Sequence, residues 1–379
     1  MESNIRILIG ADIVPTKSNV ELFINGRVEE LVGKDLLEIF TKTNYKIFNL
    51  EVPLTDIETP IDKFGPALIA SPKTIKTYKM LGVNLLTLAN NHILDQGVQG
   101  LDSTIKTLEE SGISYVGVGD ADGAKEPYIF EFASKKVGVY ACAEHEFSIV
   151  GNFDKGVNPF DPLNSLDHIS ELKDKCDYVI VLYHGGKEHY RYPSPYLQKA
   201  CQKMVEKGAN LVICQHSHCI GCEEKYGNGT IVYGQGNFLF DLSDNEYWQT
   251  SLLISLNQNF EVEYLPLIKQ KEVVRLADKE TSAKILDDFS LRSNQIREKG
   301  FIEKEYEKFS QQMKEVYLFA FSGIKYGFFS KVINRLTKGK FLSWRIKRRF
   351  TKKHYLSIRN YIECEAHREL ILKGLNFGD

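Results

Sequence analysis

The sequence feature that most constrains the fold is a pair of unbroken apolar runs, 178–182 (YVIVL) and 211–213 (LVI). Continuous β-branched runs are typical of strands buried on both faces. Each run follows a helical pattern, and shorter apolar runs earlier in the chain alternate with helical patterns in the same way. The alternation predicts an α/β fold with a largely parallel central sheet.

The order of elements indicates two regions. Strands are predicted at 5–9, 45–50, 84–88, 129–132 and 137–140, and helices at 30–43, 71–81 and 98–111. From residue 219 the pattern becomes strand after strand, at 219–225, 230–234, 250–256 and 260–267, which predicts meandering strands that close a second sheet. Residues 279–319 read as helices rich in Glu, Lys and Gln. We therefore predict one domain over 1–270 and a helical, basic C-terminal region over 271–379.

Composition narrows the class of protein. The 379 residues are 43% hydrophobic and 26% charged, as in ordinary globular proteins. Seven irregularly spaced cysteines do not form a disulfide framework and suit reduced thiols. The N-terminus has no secretory pattern and no run of about 20 apolar residues occurs, so we expect a cytoplasmic protein, peripheral to the inner membrane face at most.

Residues that could bind a metal ion or transfer a proton follow five of the predicted strands. They are Asp12, Glu51, the Asn91-His92 pair, His184, and the His216/His218 pair. Functional groups in α/β sheets gather where strands end, so we expect these side chains to converge. Taken singly, each has an ordinary explanation, since a strand-end Asp is more often a turn residue. Their order and placement together favour a divalent metal pair bound by mixed oxygen and imidazole ligands.

The same residues stand in motifs, followed here in chain order: Asn49-Leu50-Glu51, Leu88-Ala89-Asn90-Asn91-His92, His184-Gly185-Gly186, His216-Ser217-His218 and Tyr233-Gly234-Gln235-Gly236-Asn237. This order resembles that of the calcineurin-like metallophosphoesterases. The residues within the motifs look like those of the CapA-like capsule and poly-γ-glutamate biosynthesis family, over roughly residues 5–268. Nothing comparable is seen for 270–379.

The resemblance implies a four-layer α/β/β/α sandwich with a C-terminal helical extension. It also implies a metal-dependent hydrolase that acts in capsular polymer, poly-γ-glutamate or exopolysaccharide biosynthesis. One or two ions, Mn, Zn or Fe, would be held by Asp12, Glu51, Asn91, His184, His216 and His218. Asp12 and His218 would hold one ion, Glu51 would bridge, and the other three would hold the second.

The resemblance also implies catalytic roles for His92, as general acid, and for Asp95. The chain departs from the superfamily at two places: Val14 stands where a ligand histidine is usual, and Glu51 stands where the bridging residue is usually Asp. A pocket used only for binding, within a polymer synthesis or export complex, is therefore the alternative to an enzyme.

Three further residues are candidates for the pocket. Lys63 resembles a family position and would hold an anionic polymer or phosphoester substrate; the alternative is a solvated loop lysine. Glu188 would support a metal-bound histidine or the substrate. Asn237, between glycine-rich turns, would line the pocket. A single Cys219-Ile220-Gly221-Cys222 segment is too little for a zinc site, so buried thiols are expected there.

A basic segment is the second informative feature. Residues 316–362 contain twelve Lys and Arg and no Asp or Glu, with aromatics interleaved. That composition favours an interfacial helix on an anionic membrane, or binding of a polyanion. Nucleic acid is the less favoured partner, because no recognised module is present, and a nucleic-acid phosphodiesterase that uses this segment is a third reading of the function. A solvated helical face remains the alternative.

Overall fold

The computed structural model describes residues 6–323, 335–337 and 340–375. The chain forms two compact units, Met1–Ile302 and Glu303–Asp379. The first unit includes a strand and a helix that follow the predicted boundary at residue 270. As a domain limit, that boundary stays a prediction.

Sixteen strands are formed by the described residues. They are β1 (Arg6–Val14), β2 (Tyr45–Leu50), β3 (Leu85–Thr87), β4 (Ser114–Val116), β5 (Val118–Gly119), β6 (Tyr128–Phe132), β7 (Lys135–Ala143), β8 (Gly156–Val157), β9 (Tyr178–His184), β10 (Leu211–Gln215), β11 (Glu223–Tyr226), β12 (Gly229–Tyr233), β13 (Asn237–Phe240), β14 (Thr250–Asn257), β15 (Val262–Gln270) and β16 (Val273–Leu276).

The α-helices of the first unit are α1 (Val20–Asn25), α2 (Val28–Val32), α3 (Lys34–Thr41), α4 (Ile75–Met80), α5 (Gly97–Ser111), α6 (Ser165–Lys175), α7 (Pro195–Glu206) and α8 (Lys279–Gln295). Short 3₁₀ turns occupy Pro72–Thr74, Gly123–Lys125 and Glu246–Trp248. Local sequence explains where several helices begin and end. At the start of α7, Ser194 accepts a hydrogen bond from Leu197 N–H and Pro195 takes the first helical position. At the end of α5, Gly112 adopts the left-handed conformation, which ends the helix.

The larger sheet has eight strands built around β1. Its order is β16-β15-β14-β1-β2-β3-β4, with β13 also paired to β1. Strands β1 to β4 are parallel, whereas β14 runs antiparallel to the first half of β1. The last part of β1 pairs with β13, which sets Asp12 opposite Asn237.

The smaller sheet has six strands in the order β11-β12-β10-β9-β7-β6. Its four central strands are parallel, and β6 and β11 are antiparallel edges. The two unbroken apolar runs form β9 and β10 at its centre, as predicted. The meander predicted for 219–267 as one closing sheet is wrong: β11 and β12 extend the smaller sheet, whereas β14 and β15 join the larger one.

The two sheets pack face to face. Side chains of β9 alternate between two cores: Ile180 and Leu182 join the core shared with the larger sheet, whereas Val181 and Tyr183 join the core under α6 and α7. Helices α1 to α5 contribute to the outer face of the larger sheet, where Phe40 of α3 packs on Phe48 of β2. The predicted four-layer sandwich is confirmed.

The second unit is helical, as predicted for the C-terminal region. Helix α9 (Phe301–Phe321) leads into it, and α10 (Lys340–Arg349), α11 (Lys352–Glu363) and α12 (Glu365–Leu375) follow. A small core forms around Leu318, Ile346 and Phe350. No helix within the described ranges combines the length and apolar character that a membrane span requires. Residues 324–334 and 338–339 of the predicted interfacial segment, 316–362, lie outside the described residues.

Candidate metal centre

The structure brings all six predicted metal-ligand residues to one edge of the sandwich. Asp12 lies on β1, Glu51 directly follows β2, and Asn91 follows β3. In the facing sheet, His184 ends β9, and His216 and His218 follow β10. All six side chains are buried. The site therefore lies where the ends of parallel strands from both sheets meet.

Three of these residues surround a ring nitrogen of a fourth, His184. His184 Nε2 lies 3.0 Å from Asn91 Oδ1, 3.1 Å from His216 Nδ1 and 3.3 Å from Glu51 Oε1. One imidazole nitrogen forms a single in-plane hydrogen bond, so three polar neighbours exceed what hydrogen bonding uses. The structure therefore gathers more polar atoms at this nitrogen than hydrogen bonding uses, and a shared cation would suit them.

A second group shares Glu51 with the first. Ligand atoms of Asp12, Glu51 and His218 all lie within 4.8 Å of one another, as do those of Glu51, His184 and His216. His218 Nδ1 lies 3.8 Å from Asp12 Oδ2 and 2.9 Å from Asn237 Oδ1. Asn237 thus reaches the centre through His218, next to the strand pairing that places it beside Asp12.

Two asparagines that the sequence reasoning did not assign hold the ligands in place. Asn49 Nδ2 donates to Asp12 Oδ1 at 2.7 Å and lies 3.3 Å from His184 Nδ1. Asn90 Nδ2 donates to Asn49 Oδ1 at 3.0 Å, while Asn90 Oδ1 accepts from His92 N–H at 3.1 Å. Asn49 could have been identified from its position in the sequence, because it lies two residues before Glu51 and side chains at that spacing point to the same face of a strand.

The backbone at the histidine pair is strained. His216 and His218 have φ values of +86° and +53°, in the left-handed region that non-glycine residues rarely adopt. Such strain of about 1–3 kcal/mol per residue persists where surrounding structure fixes it, and it clusters at functional sites. Here it turns both rings of the His-x-His segment into the site.

Electrostatics in the site keep the imidazoles neutral. Burial lowers the pKa of His184 and of His218 to about 4, and lowers the pKa of His216 well below its usual value. Burial also raises the pKa of Glu51 to about 7. The pKa of Asp12 is raised well above its usual value by burial and by the neighbouring Glu51. Neutral imidazole is the form that binds a metal ion.

The donor set fits a divalent metal pair. Among the described residues, Asp12 Oδ2 and both carboxylate oxygens of Glu51 are buried without a hydrogen-bond partner. Buried polar atoms are rarely left unpaired in native proteins. Two carboxylates, an amide oxygen and three imidazoles are suitable ligands for divalent metal ions. The unpaired oxygens therefore mark positions that cations would occupy.

His92, Asp95 and Lys63 form a connected group beside the ligands. His92 Nδ1 lies 2.6 Å from Asp95 Oδ2 and 3.2 Å from Lys63 Nζ, and Lys63 forms an ion pair with Asp95. His92 directly follows the ligand residue Asn91, and its backbone N–H is held by Asn90, which also holds Asn49 beside Asp12. The three residues were predicted for this pocket, but their contacts with each other could not be read from the sequence.

The mouth of the site is acidic. Glu188 is half-buried, and its charge acts on Glu51, His184 and His218. Glu144 and Glu146, which sequence reasoning missed, line a small cleft with Asn91, His184 and His216. Glu144 also accepts a hydrogen bond from Gly186 N–H at 3.0 Å. No sequence signal distinguished these two residues from ordinary loop carboxylates.

An aromatic wall that the sequence did not indicate borders His218. The indole of Trp248 lies 4.5 Å from the His218 ring, centre to centre, and donates to His189 Nε2 at 2.9 Å.

Cys219 and Cys222 follow His218 and are fully buried. In the part of the chain that the structure describes, no group of three metal-ligand residues includes a cysteine.

Comparisons with known proteins agree on one family. A family model described as bacterial capsule synthesis protein PGA_cap matches residues 12–242. The capsule biosynthesis protein CapA of Bacillus anthracis is 31% identical over 182 residues, which are 46% of this chain and 44% of that protein. The PGA biosynthesis protein CapA of Bacillus subtilis is 28% identical over 234 residues, 57% of this chain and 59% of that protein. The chain thus spans about half the length of these curated relatives.

Among solved structures, a phosphatase of Mycoplasma pneumoniae is similar with a TM-score of 0.45 and 15% identity. The similarity covers 72% of this chain and 96% of that one.

Proposed function

The chain belongs to the bacterial capsule synthesis protein PGA_cap family, and from that premise we propose that it is a metal-dependent phosphoester hydrolase. We further propose that it acts in the synthesis of a capsular polymer, poly-γ-glutamate or an exopolysaccharide. The names of its relatives support that role, since they refer to capsule and PGA biosynthesis. The proposed cofactors are one or two divalent ions, with Mn, Zn and Fe as the candidates.

The observation that carries the proposal is the shared position of Glu51. Its carboxylate belongs to two groups of ligand atoms, one with Asp12 and His218 and the other with His184 and His216. Both of its oxygens are buried without hydrogen-bond partners in the described structure. A carboxylate shared in this way suits a metal pair, which clamps a phosphoryl group and activates a water when bound.

The remaining residues are proposed to act on the substrate and its proton. His92 is held through Nδ1 by Asp95, so its Nε2 is the ring nitrogen free to donate a proton to the leaving-group oxygen. Asn49 and Asn237 hold Asp12 and His218 at fixed positions. Fixed ligands preserve the alignment that an in-line displacement requires.

A binding component of a polymer synthesis complex, without catalysis, is the second candidate. Val14 favours it, because Val14 cannot act as a ligand and leaves the Asp12 group with three potential ligand residues. The His92–Asp95 pair favours the enzyme, since binding alone needs no positioned proton donor. Turnover decides between them.

The experiment is metal analysis of the purified protein, followed by hydrolysis of p-nitrophenyl phosphate and bis(p-nitrophenyl) phosphate with added Mn²⁺. We expect bound transition metal and turnover in the wild type, and loss of both in a His184→Ala/His216→Ala variant. His168→Ala, which removes a histidine of α6 that belongs to neither ligand group, is the control. A metal-free wild type, or undiminished metal in the first variant, contradicts the proposed site. Metal without turnover on any phosphoester supports the binding component.

We also propose that the second unit attaches the protein to an anionic membrane. Positions Lys340, Trp344, Lys347 and Arg348 recur at helical spacing on α10, which places them on one face. Ile346 and Phe350 lie in the small core of the same unit, so they do not compete for that face. Trp344 is 55% exposed, and Arg348 lies 5.5 Å from the centre of its ring.

Among the described residues, the cations near this face have no acidic partners. Seven occur between residues 340 and 353, and none forms an ion pair within the described structure; they are Lys340, Arg345, Lys347, Arg348, Arg349, Lys352 and Lys353. Each Lys or Arg near an anionic bilayer contributes about 1 kcal/mol, and an exposed Trp suits the headgroup level. Anionic lipid therefore fits this face better than a neutral surface does.

A further inference from the structure

Lys63 is a buried lysine whose contacts are internal. Its side chain is 2% exposed, although it lies in the long connection between β2 and α4. The ammonium forms an ion pair with Asp95 Oδ1 and lies 3.2 Å from His92 Nδ1. The ring of Phe147 covers it, with its centre 5.0 Å from Nζ. A charge this deeply buried needs its partners, because solvent cannot replace them.

Asp95 is the centre of the group. Its carboxylate is fully buried, and its Oδ2 accepts from Leu68 N–H at 2.6 Å as well as contacting His92 Nδ1 at 2.6 Å. Lys63 engages the other oxygen. With one oxygen held by Lys63 and the other by a backbone N–H, the carboxylate cannot rotate. The His92 ring that it holds is therefore fixed as well.

We propose that Lys63 is a positioning residue for His92, acting through Asp95, rather than a cation that binds the substrate. The inference rests on the proposed function, in which His92 donates the proton to the leaving group. The contacts favour this role over the substrate-binding role predicted from the sequence. With Asp95, His92 and the Phe147 ring around its ammonium, a side chain that is only 2% exposed offers little surface to an anionic polymer.

The kinetic test compares Lys63→Met with wild type, both loaded with Mn²⁺. A misplaced proton donor lowers kcat by about 100-fold and leaves KM unchanged. The loss is greater for phenyl phosphate than for p-nitrophenyl phosphate, because nitrophenolate leaves with less help from an acid. A substrate-binding lysine predicts instead a raised KM and equal losses on both substrates. Lys79→Met, at an exposed position on α4, is the matched control.

A second variant guards against misfolding. Lys63→Met leaves the buried carboxylate of Asp95 without its ion-pair partner. The single variant is therefore compared with the double variant Lys63→Met/Asp95→Asn, in which both buried charges are absent. We expect the double variant to fold, to keep its metal and to show the same KM with a low kcat. A raised KM in the double variant overturns the positioning role.

The third readout needs no activity. In the Zn²⁺-loaded protein, the proton shared by His92 Nδ1 and Asp95 should give a downfield NMR resonance, assigned by its absence from His92→Ala. We expect Lys63→Met to shift or broaden it, and Lys79→Met to leave it unchanged. An unchanged resonance in Lys63→Met overturns the inference. If wild type hydrolyses no phosphoester, the proposed function fails, yet this resonance still decides the role of Lys63.

Discussion

Glu51→Gln separates the metal requirement of the site from the stability of the fold. In the metal-free protein, Asp12 Oδ2 and both Glu51 oxygens are buried acceptors without partners in the described structure. A glutamine amide carries no charge, and its N–H₂ group is able to donate to Asp12 Oδ2. The substitution therefore relieves two of three unpaired acceptors and preserves the side-chain volume.

The magnitude follows from the cost of such groups. Each buried, unpaired acceptor costs about 1–3 kcal/mol. Relief of two predicts that metal-free Glu51→Gln is more stable than metal-free wild type by about 2 kcal/mol, the lower end of that range. For a unit of this size, about 2 °C accompanies each kcal/mol, so the midpoint should rise by about 4 °C.

Bound metal should reverse the order of stability of wild type and Glu51→Gln. An ion at 100 times its dissociation constant stabilises the folded state by about 2.7 kcal/mol. Wild type gains this for each ion bound, whereas Glu51→Gln has lost the carboxylate that both groups share. Wild type should therefore be the more stable protein in Mn²⁺, although it is the less stable one in EDTA.

Thermal unfolding in EDTA and in Mn²⁺ measures both differences, and Glu58→Gln, an exposed change in the same unit, is the control. The reasoning is refuted if the two curves keep the same order in both buffers. It is also refuted if Mn²⁺ raises the midpoint of Glu51→Gln as much as that of wild type.

Two further predictions concern the proton donor and the second unit. His92→Ala should keep its metal content by elemental analysis while kcat falls about 10²–10⁴-fold, the usual contribution of a general acid; wild-type turnover would exclude His92 from that role. The protein should sediment with phosphatidylserine vesicles, and 0.5 M salt should reduce the bound fraction. The Lys347→Glu/Arg348→Glu variant should also bind less, whereas the matched control Lys17→Glu/Lys79→Glu should bind as wild type does. Equal binding to neutral and anionic vesicles, or none to either, would leave a solvated face, and binding of soluble polyglutamate alone would indicate a polyanion partner.

The sequence predicted the elements that local pattern determines. Residues 178–182 formed a central strand because unbroken β-branched runs need two buried faces, and β9 has both. Strand pairing was harder, because β14 lies beside β1 through contacts between residues about 245 positions apart, such as Ile9 and Ile254. No window of sequence carries that information. The meander was therefore wrongly assigned to one sheet, and the four-residue β13 was missed.

The sequence predicted which residues form the candidate site, but not which of them contact each other. Strand ends brought Asp12, Glu51 and the histidines together because parallel strands share one edge. Burial of loop residues has no comparable rule, so Lys63 read as a loop cation that would meet the substrate, and Glu144 did not stand out. Both depend on how loops fold over the edge, which the strand pattern does not determine.

Several residues at this site adopt conformations or environments that destabilise the fold when no metal is bound. His216 and His218 occupy a left-handed backbone that histidine disfavours, and the Glu51 carboxylate is buried without a hydrogen-bond partner in the described residues. Each feature destabilises the metal-free fold, and they lie within one ligand cluster. Left-handed residues occur elsewhere as well, at Ser134 and Lys271 for example, but a bound cation would offset the costs at this cluster together, by giving the carboxylate a partner and fixing the rings. This dependence on a bound cation is why the stability of Glu51→Gln without metal, and not only its activity, tests the proposed metal pair.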